Sequence, residues 1–216
     1  MSTTNIYRLS GIVLAVGGLI GVVAFVLDLV VDAHYPHIED DTLLAATTSA
    51  WVIHVALLFI SALLIVLALP GLYARLREKG GILGLIAFVL TFIGVMIGDM
   101  MNAAISAFAL PPLTASTAGR AVLLNNPPYP GIVGGLGGIF TLLGVLLLGI
   151  VLVRARVLPR WVGVPLIAGV IVFIPGVTLG ANALGPLIIY AGFALCGVML
   201  MSRTTVPATE SIPQQV

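Results

Sequence analysis

The stretch "GILGLIAFVLTFIGVMIGDMMNAAISAFAL", residues 81–110, decides the fold of this protein. Its one charged side chain is Asp99, and all but a few of its other residues are apolar. A bilayer-spanning α-helix needs about 20 predominantly apolar residues, so the run predicts a transmembrane helix. Asp99 and Asn102 therefore occupy positions where polar side chains are costly and often functional.

Five further segments have the same character, and the whole chain shares it. Hydrophobic residues make up 60% of the chain, charged residues 8%, and the mean hydropathy is +1.23. These values lie outside the range of soluble domains. We predict an all-α integral membrane fold, a six-transmembrane-helix bundle forming one domain, 1–203, followed by a disordered cytoplasmic tail, 204–216. The predicted spans are residues 8–31, 51–69, 81–110, 131–153, 161–179 and 182–201.

The distribution of basic residues predicts the orientation. If the six spans alternate in direction, eight of the nine basic residues fall on one side of the membrane, and Arg120 falls on the other. Basic residues are enriched on the cytoplasmic side, so both termini are predicted to be cytoplasmic. The eight are Arg8, Arg75, Arg77, Lys79, Arg154, Arg156, Arg160 and Arg203.

The two basic loops share a pattern. Each contains Arg-x-Arg and is followed by a glycine at the start of the next helix, Gly81 in one case and Gly163 in the other. This spacing is compatible with two three-helix halves of inverted topology, an arrangement found in many transporter folds.

The second basic loop, "VLVRARVLPRWVG" at residues 151–163, also carries a resemblance. It is similar to a loop of small multi-pass bacterial membrane proteins of uncharacterised function, in which a helix ends at a basic turn of the Leu-Pro-Arg-Trp type. The resemblance implies a location in the bacterial cell (inner) membrane. It implies no catalytic residues.

Glycines lie on one face of several predicted helices. Gly17 and Gly21 share a face of the first, Gly94 and Gly98 share a face of the third, and the fourth begins "GIVGGLGGIF" at residues 131–140. Small residues let membrane helices approach closely, so we expect helices one, three and four to contact each other through these faces. Pro70 is expected to end the second helix, because proline lacks the N–H that the helix interior requires.

Polar side chains recur at one depth, counted from the basic end of each span. Asp28 lies 20 residues from Arg8, Asp99 lies 20 from Lys79, His54 lies 21 from Arg75, and Asn182 lies 21 from Arg203. At about 1.5 Å per residue, each is about 30 Å from its basic anchor. Two interpretations explain this common depth. The polar residues mark the position where the helices reach the membrane surface, or they line a pocket near the outer leaflet. The pocket hypothesis comprises Asp28, His54, Asp99, Asn102 and Asn182.

The predicted outer loop after the first span offers metal-ligand types. His34, His37 and Glu39 lie in "DAHYPHIEDD" at residues 32–41. Imidazole and carboxylate groups suit zinc, although Pro36 prevents the two histidines from sharing a regular helix. A solvated acidic loop explains the same residues, so the sequence predicts no metal site. It predicts no other cofactor either.

Three functions remain open. The first is a non-enzymatic ligand-binding, sensory or accessory subunit, which the lack of any catalytic motif favours. The second is a proton- or ion-coupled small-molecule transporter with Asp28, His54 and Asp99 as its relay. The third is a membrane-embedded metal-dependent hydrolase that uses the same three residues together with the loop histidines. The partners implied are the lipid bilayer, a small ligand or ion, and a larger membrane complex or homo-oligomer. No basic patch indicates nucleic acid.

Overall fold

The computed structural model describes residues 3–34, 49–125, 129–179 and 183–202, and every regular element in these ranges is helical. The all-α prediction is confirmed for this part of the chain. The α-helices are α1 (Thr3–His34), α2 (Ser49–Gly94), α3 (Asn102–Ala104), α4 (Leu110–Thr114), α5 (Thr117–Asn125), α6 (Tyr129–Ala155), α7 (Val164–Leu179) and α8 (Leu184–Ser202). Two π-helical segments, Val95–Met101 and Ile105–Ala109, flank α3, and a 3₁₀ turn, Arg160–Val162, precedes α7.

Four helical stretches are long and apolar enough to cross a membrane: Asn5–Val30, Ser49–Thr114, Gly135–Ala155 and Leu184–Ser202. Arg160–Gly176 is apolar but shorter. Large apolar side chains cover the outside of these helices, including Leu67 at 63% exposed and Ile174 at 66% exposed. A surface so rich in exposed aliphatic groups suits a lipid environment and would be unstable in water. Helix length, composition and surface together indicate a membrane protein.

The long stretch Ser49–Thr114 reverses direction at Gly81. Gly81 has φ 55° and ψ −152°, a backbone conformation open to glycine and costly for residues with a Cβ. The first arm of α2, residues 49–80, then runs beside the chain that follows the break. Tyr73 stacks on Phe88 with ring centroids 4.7 Å apart, and Phe59 contacts Phe108 at 6.1 Å. The two ring pairs show that the second arm of α2, residues 82–94, and its continuation return antiparallel to the first arm.

Pro70 does not end its helix, so that prediction was wrong. The first arm of α2 continues through Pro70 to the break at Gly81. Pro70 is exposed on the outside of the bundle, so its ring crowds no neighbouring helix. Membrane helices tolerate proline more readily than soluble ones, because neighbouring groups and small backbone adjustments satisfy the carbonyl that loses its donor.

The helix contacts confirm one half of the glycine prediction and correct the other. Gly98 lies against the backbone of Gly137, so the third and fourth predicted spans do meet through glycine. The glycine face of α1 instead contacts the first arm of α2 and α8. Ser61 Oγ donates a hydrogen bond of 2.6 Å to the Gly17 carbonyl, and Gly21 lies against the ring of Tyr190. The spacing of glycines predicts which face of a helix makes close contacts. Which helix packs against that face depends on the shapes of all the helices in the bundle.

The bundle has two chemically different ends. Near the basic end, Arg75 lies over the Tyr7 ring at 5.4 Å, and the core between the helices is filled by aliphatic side chains. At the acidic end, which we define by Asp28, His54 and Asp99, polar groups enter the interior. The aliphatic core residues include Leu14, Ile65, Leu69, Leu72, Leu76, Leu148, Leu152, Leu158 and Leu166.

The contact between Gly98 and Gly137 can be tested with two adjacent glycines of α6. A Cβ at Gly137 would overlap the Gly98 backbone, whereas a Cβ at Gly138 meets nothing within 4 Å. Gly137→Ala should lower the free energy of unfolding in mixed micelles by about 1–3 kcal/mol, because the helices must separate. Gly138→Ala is the control and should leave stability unchanged or raise it by up to about 1 kcal/mol. Equal effects of the two changes would contradict the helix packing.

Candidate functional site

Asp28 and His54 form a pair between α1 and the first arm of α2. His54 is 3% exposed, and its Nε2 lies 3.5 Å from Asp28 Oδ1. Its Nδ1 lies 2.9 Å from the carbonyl oxygen of Ala24, one helical turn before Asp28. A carbonyl oxygen can only accept, so Nδ1 carries a proton and donates. Ala24 is fully buried, and its small side chain leaves the imidazole close to the α1 backbone.

Asp99 has a different partner, Tyr190 of α8. The Tyr190 hydroxyl donates a hydrogen bond of 3.2 Å to Asp99 Oδ2, and Tyr190 is 4% exposed. The aromatic ring fits because Gly21 of α1 has no side chain, and a Cβ there would overlap ring atoms. The sequence analysis did not identify Tyr190. The position of Tyr190 inside an apolar span could have identified it, because a buried phenol usually forms a hydrogen bond with a polar partner.

A π-helical segment carries Asp99. Residues Val95–Met101 follow Gly94 without a break in the helix, and Asp99 lies within this segment. In a π-helix each N–H bonds to the carbonyl five residues earlier, which widens the turn and changes the direction of the following side chains. An α-helical wheel places the Asp99 side chain at the margin of the glycine face of its helix. Because the wheel assumes α-helical turns, it does not give the direction in which Asp99 points from the wider π-helical turn. Single-turn π-bulges often coincide with functional sites.

Aromatic rings connect the two polar pairs into one layer. The centroids of the Trp51 and His54 rings are 5.3 Å apart, and those of the His54 and Phe25 rings are 6.1 Å apart. Phe25 lies 5.4 Å from Tyr190. The rings therefore follow one another in the order Trp51, His54, Phe25 and Tyr190, and the row connects the Asp28–His54 pair with the Tyr190–Asp99 pair. Trp51 Nε1 is buried and has no hydrogen-bond partner among the described residues.

The other two residues of the predicted pocket are Asn102 and Asn182. Asn102 is half-buried directly after the π segment, and its backbone N–H donates to the Asp99 carbonyl. Asn182 lies outside the described residues, so its membership of the pocket stays a prediction. The structure thus joins His54 to Asp28 directly. Asp99 is joined to them through Tyr190 and Phe25.

The metal candidates cannot be placed. His37 and Glu39 lie outside the described residues, and the described part of His34 is its backbone at the end of α1. Among the described side chains, no group of three or more His, Cys, Asp or Glu residues could hold a metal ion.

The arrangement offers hydrogen-bonding groups in a largely buried layer. Two carboxylates, an imidazole and a phenol can bind protons or accept hydrogen bonds from a cationic or hydroxylated ligand. In a low-dielectric interior such interactions are stronger than in water, and an unpaired group costs more.

The pairing of Asp99 with Tyr190 predicts a measurable coupling. Tyr190→Phe and Asp99→Asn should each destabilise the protein, and the double variant should show a coupling energy of about 1 kcal/mol in a double-mutant cycle. Tyr73→Phe is the matched control, because the Tyr73 hydroxyl has no partner among the described residues while its ring stacks on Phe88. Additive effects at Asp99 and Tyr190 would show that the hydrogen bond is absent.

No protein-family model, curated protein or solved structure matches this chain.

Proposed function

We propose that the chain crosses the bacterial cytoplasmic membrane six times with both termini in the cytoplasm. The antiparallel neighbours support this topology. Gly11 lies against Gly197 while Gly18 lies against Ala194, so α1 and α8 run in opposite directions. The reversal at Gly81 divides Ser49–Thr114 into two crossings, and α7 supplies the fifth. Basic residues gather at the end where the termini of α1 and α8 meet, as on a cytoplasmic face.

The proposed inverted repeat has weaker support. In each half a basic turn joins two apolar helices, which agrees with the pattern of Gly81 and Gly163. The two glycines adopt different conformations, with φ 55° at Gly81 and −78° at Gly163. The inverted-repeat hypothesis is therefore supported by the order of the helices, whereas the backbone conformations of the two turns differ.

For the function, the observation that carries most weight is the confinement of polar groups to one end. The layer of Asp28, His54, Asp99 and Tyr190 faces the predicted outer side, while the cytoplasmic half of the core is packed with leucine. A binding site open to one side needs only such a layer, whereas a transport path needs polar groups through the full thickness. We infer a non-enzymatic ligand-binding, sensory or accessory subunit whose site is this layer.

One observation favours a second function, a proton- or ion-coupled transporter. Titratable side chains from α1, the first arm of α2, the π segment and α8 converge in one layer. Chains of carboxylate and imidazole groups serve as proton relays in many transporters. A transporter would need the helices to rearrange so that this layer becomes accessible from the cytoplasm.

Cysteine labelling tests the topology. Cys196 is fully buried and is the one cysteine of the chain, so Cys196→Ala gives a clean background. A membrane-impermeant maleimide should label Ala115→Cys in intact cells and Arg77→Cys after permeabilisation alone. Both positions are exposed in the structure, so a difference reports the side of the membrane. The reverse pattern would overturn the orientation, and labelling of both in intact cells would overturn the six-span topology.

Native mass spectrometry and proton flux together test the function. The protein extracted in copolymer nanodiscs should carry a small molecule or a partner subunit that Asp99→Asn loses and Glu78→Gln retains, since Glu78 is exposed at the basic end. Liposomes holding the protein and a pH-sensitive dye should show no potential-driven proton uptake above that of empty liposomes. Uptake that Asp99→Asn abolishes and Glu78→Gln preserves would establish the transporter instead. Absence of both an adduct and uptake would contradict both functions.

A further inference from the structure

Basic side chains from two separate turns meet at the basic end of α6. The turn after the first arm of α2 carries Lys79, and the neighbouring Gly80 lies against the Val151 side chain near the end of α6. The last turn of α6 and the turn between α6 and α7 carry Arg154 and Arg156. Segments that are distant in sequence therefore place positive charge around the end of one helix.

No described side chain forms an ion pair with these basic groups. Lys79, Arg154 and Arg156 are all exposed. Glu78 is the one acidic residue with a described side chain at this end of the bundle, and it is exposed as well. The end of α6 therefore presents a net positive surface to its surroundings.

The backbone of Arg156 has a conformation that favours glycine. Its φ is 53°, and no other described residue except glycine has a positive φ. Arg156 directly follows Ala155, the last residue of α6, at a position where glycine commonly ends a helix because it lacks a Cβ. Since glycine would make this turn with less strain, the turn does not explain the arginine. Strained residues of this kind are often found at binding sites.

An exposed apolar strip on the outer face of α6 leads to these charges. The strip contains Leu136, Leu143 and Ile150, and Arg154 follows Ile150 by one turn on the same face. Trp161 is exposed in the 3₁₀ turn before α7, at the same end of the bundle, and tryptophan is enriched at the membrane–water interface. The outer face of α6 is thus apolar along the helix and basic at its end, which matches the acyl chain and the headgroup of a lipid.

We propose that the basic end of α6 binds an anionic glycerophospholipid. Arg154 and Arg156 bind its phosphate, Lys79 adds charge from the neighbouring turn, and an acyl chain lies along the outer face of α6. Guanidinium groups bind phosphate oxygens through paired hydrogen bonds, and clustered basic residues at a membrane surface attract anionic lipids. A zwitterionic lipid has the same phosphate, but these basic side chains repel its ammonium group. The site therefore distinguishes lipids by the net charge of the headgroup.

The proposed lipid site lies at the end of the bundle opposite the polar layer, so its test does not depend on the function proposed above. In native mass spectrometry of the delipidated full chain, phosphatidylglycerol should bind more tightly than phosphatidylcholine with the same acyl chains. Arg154→Gln should weaken phosphatidylglycerol binding about fivefold, the effect of one basic residue near a membrane surface, and should leave phosphatidylcholine binding unchanged.

Arg8→Gln is the matched control for this change. Arg8 is also exposed at the basic end, but it belongs to α1, which packs chiefly against the first arm of α2 and α8. Equal binding of the two lipids to the parent, or equal losses in Arg8→Gln and Arg154→Gln, would overturn the proposal. Displacement of phosphatidylglycerol by inorganic phosphate at the same concentration would also overturn it, because the acyl chain would then contribute nothing.

Arg156→Gly separates lipid binding from the structure of the turn. Glycine adopts a φ near 53° without strain, so the midpoint temperature of unfolding in micelles should stay the same or rise. Phosphatidylglycerol binding should nevertheless weaken about fivefold, because a basic side chain is lost. If Arg156→Gly keeps the lipid preference of the parent, the strained arginine does not bind the headgroup and the proposed site is wrong.

Discussion

A carboxylate inside an apolar bundle must find a donor, and this requirement organises the acidic end of the molecule. Burial of an unpaired charge or hydrogen-bonding group is costly because the interior cannot replace the water it loses. Asp99 meets the requirement with the Tyr190 hydroxyl, and Asp28 lies 3.5 Å from Nε2 of the buried His54 imidazole. Each pair joins two segments distant in sequence, so satisfying the side chains also determines which helices are neighbours.

These pairs depend on glycine and other small residues at the helix contacts. Tyr190 can reach Asp99 because Gly21 leaves room for its ring, and the π segment holds its position because Gly98 lies directly on Gly137. Helices in lipid gain little from hydrophobic burial against one another, so close backbone contact supplies much of the packing energy. The small faces and the polar pairs are therefore parts of one arrangement.

The two ends of the bundle differ in the polarity of their interiors. Leucine and other aliphatic side chains make up most of the buried core near the basic end. At the acidic end, the Asp28–His54 pair and the Tyr190–Asp99 hydrogen bond lie among the rings of Trp51, Phe25 and Tyr190. This contrast is the basis for the one-sided binding site that we propose.

The sequence by itself determined the environment, the helical class, and the polar residues that gather at one end, because hydropathy and helix length are properties of the chain read residue by residue. It also identified Asp28 and His54 as neighbours in depth, since distance along a helix follows directly from residue number. Only the tertiary structure decided that Tyr190 would pair with Asp99, that Gly17 and Gly21 would face the first arm of α2 and α8, and that the helix would continue past Pro70. Those outcomes depend on rotation about each helix axis and on the π-helical turn at Val95–Met101. Rotation is set by how all the side chains pack together, and no local stretch of sequence contains that information.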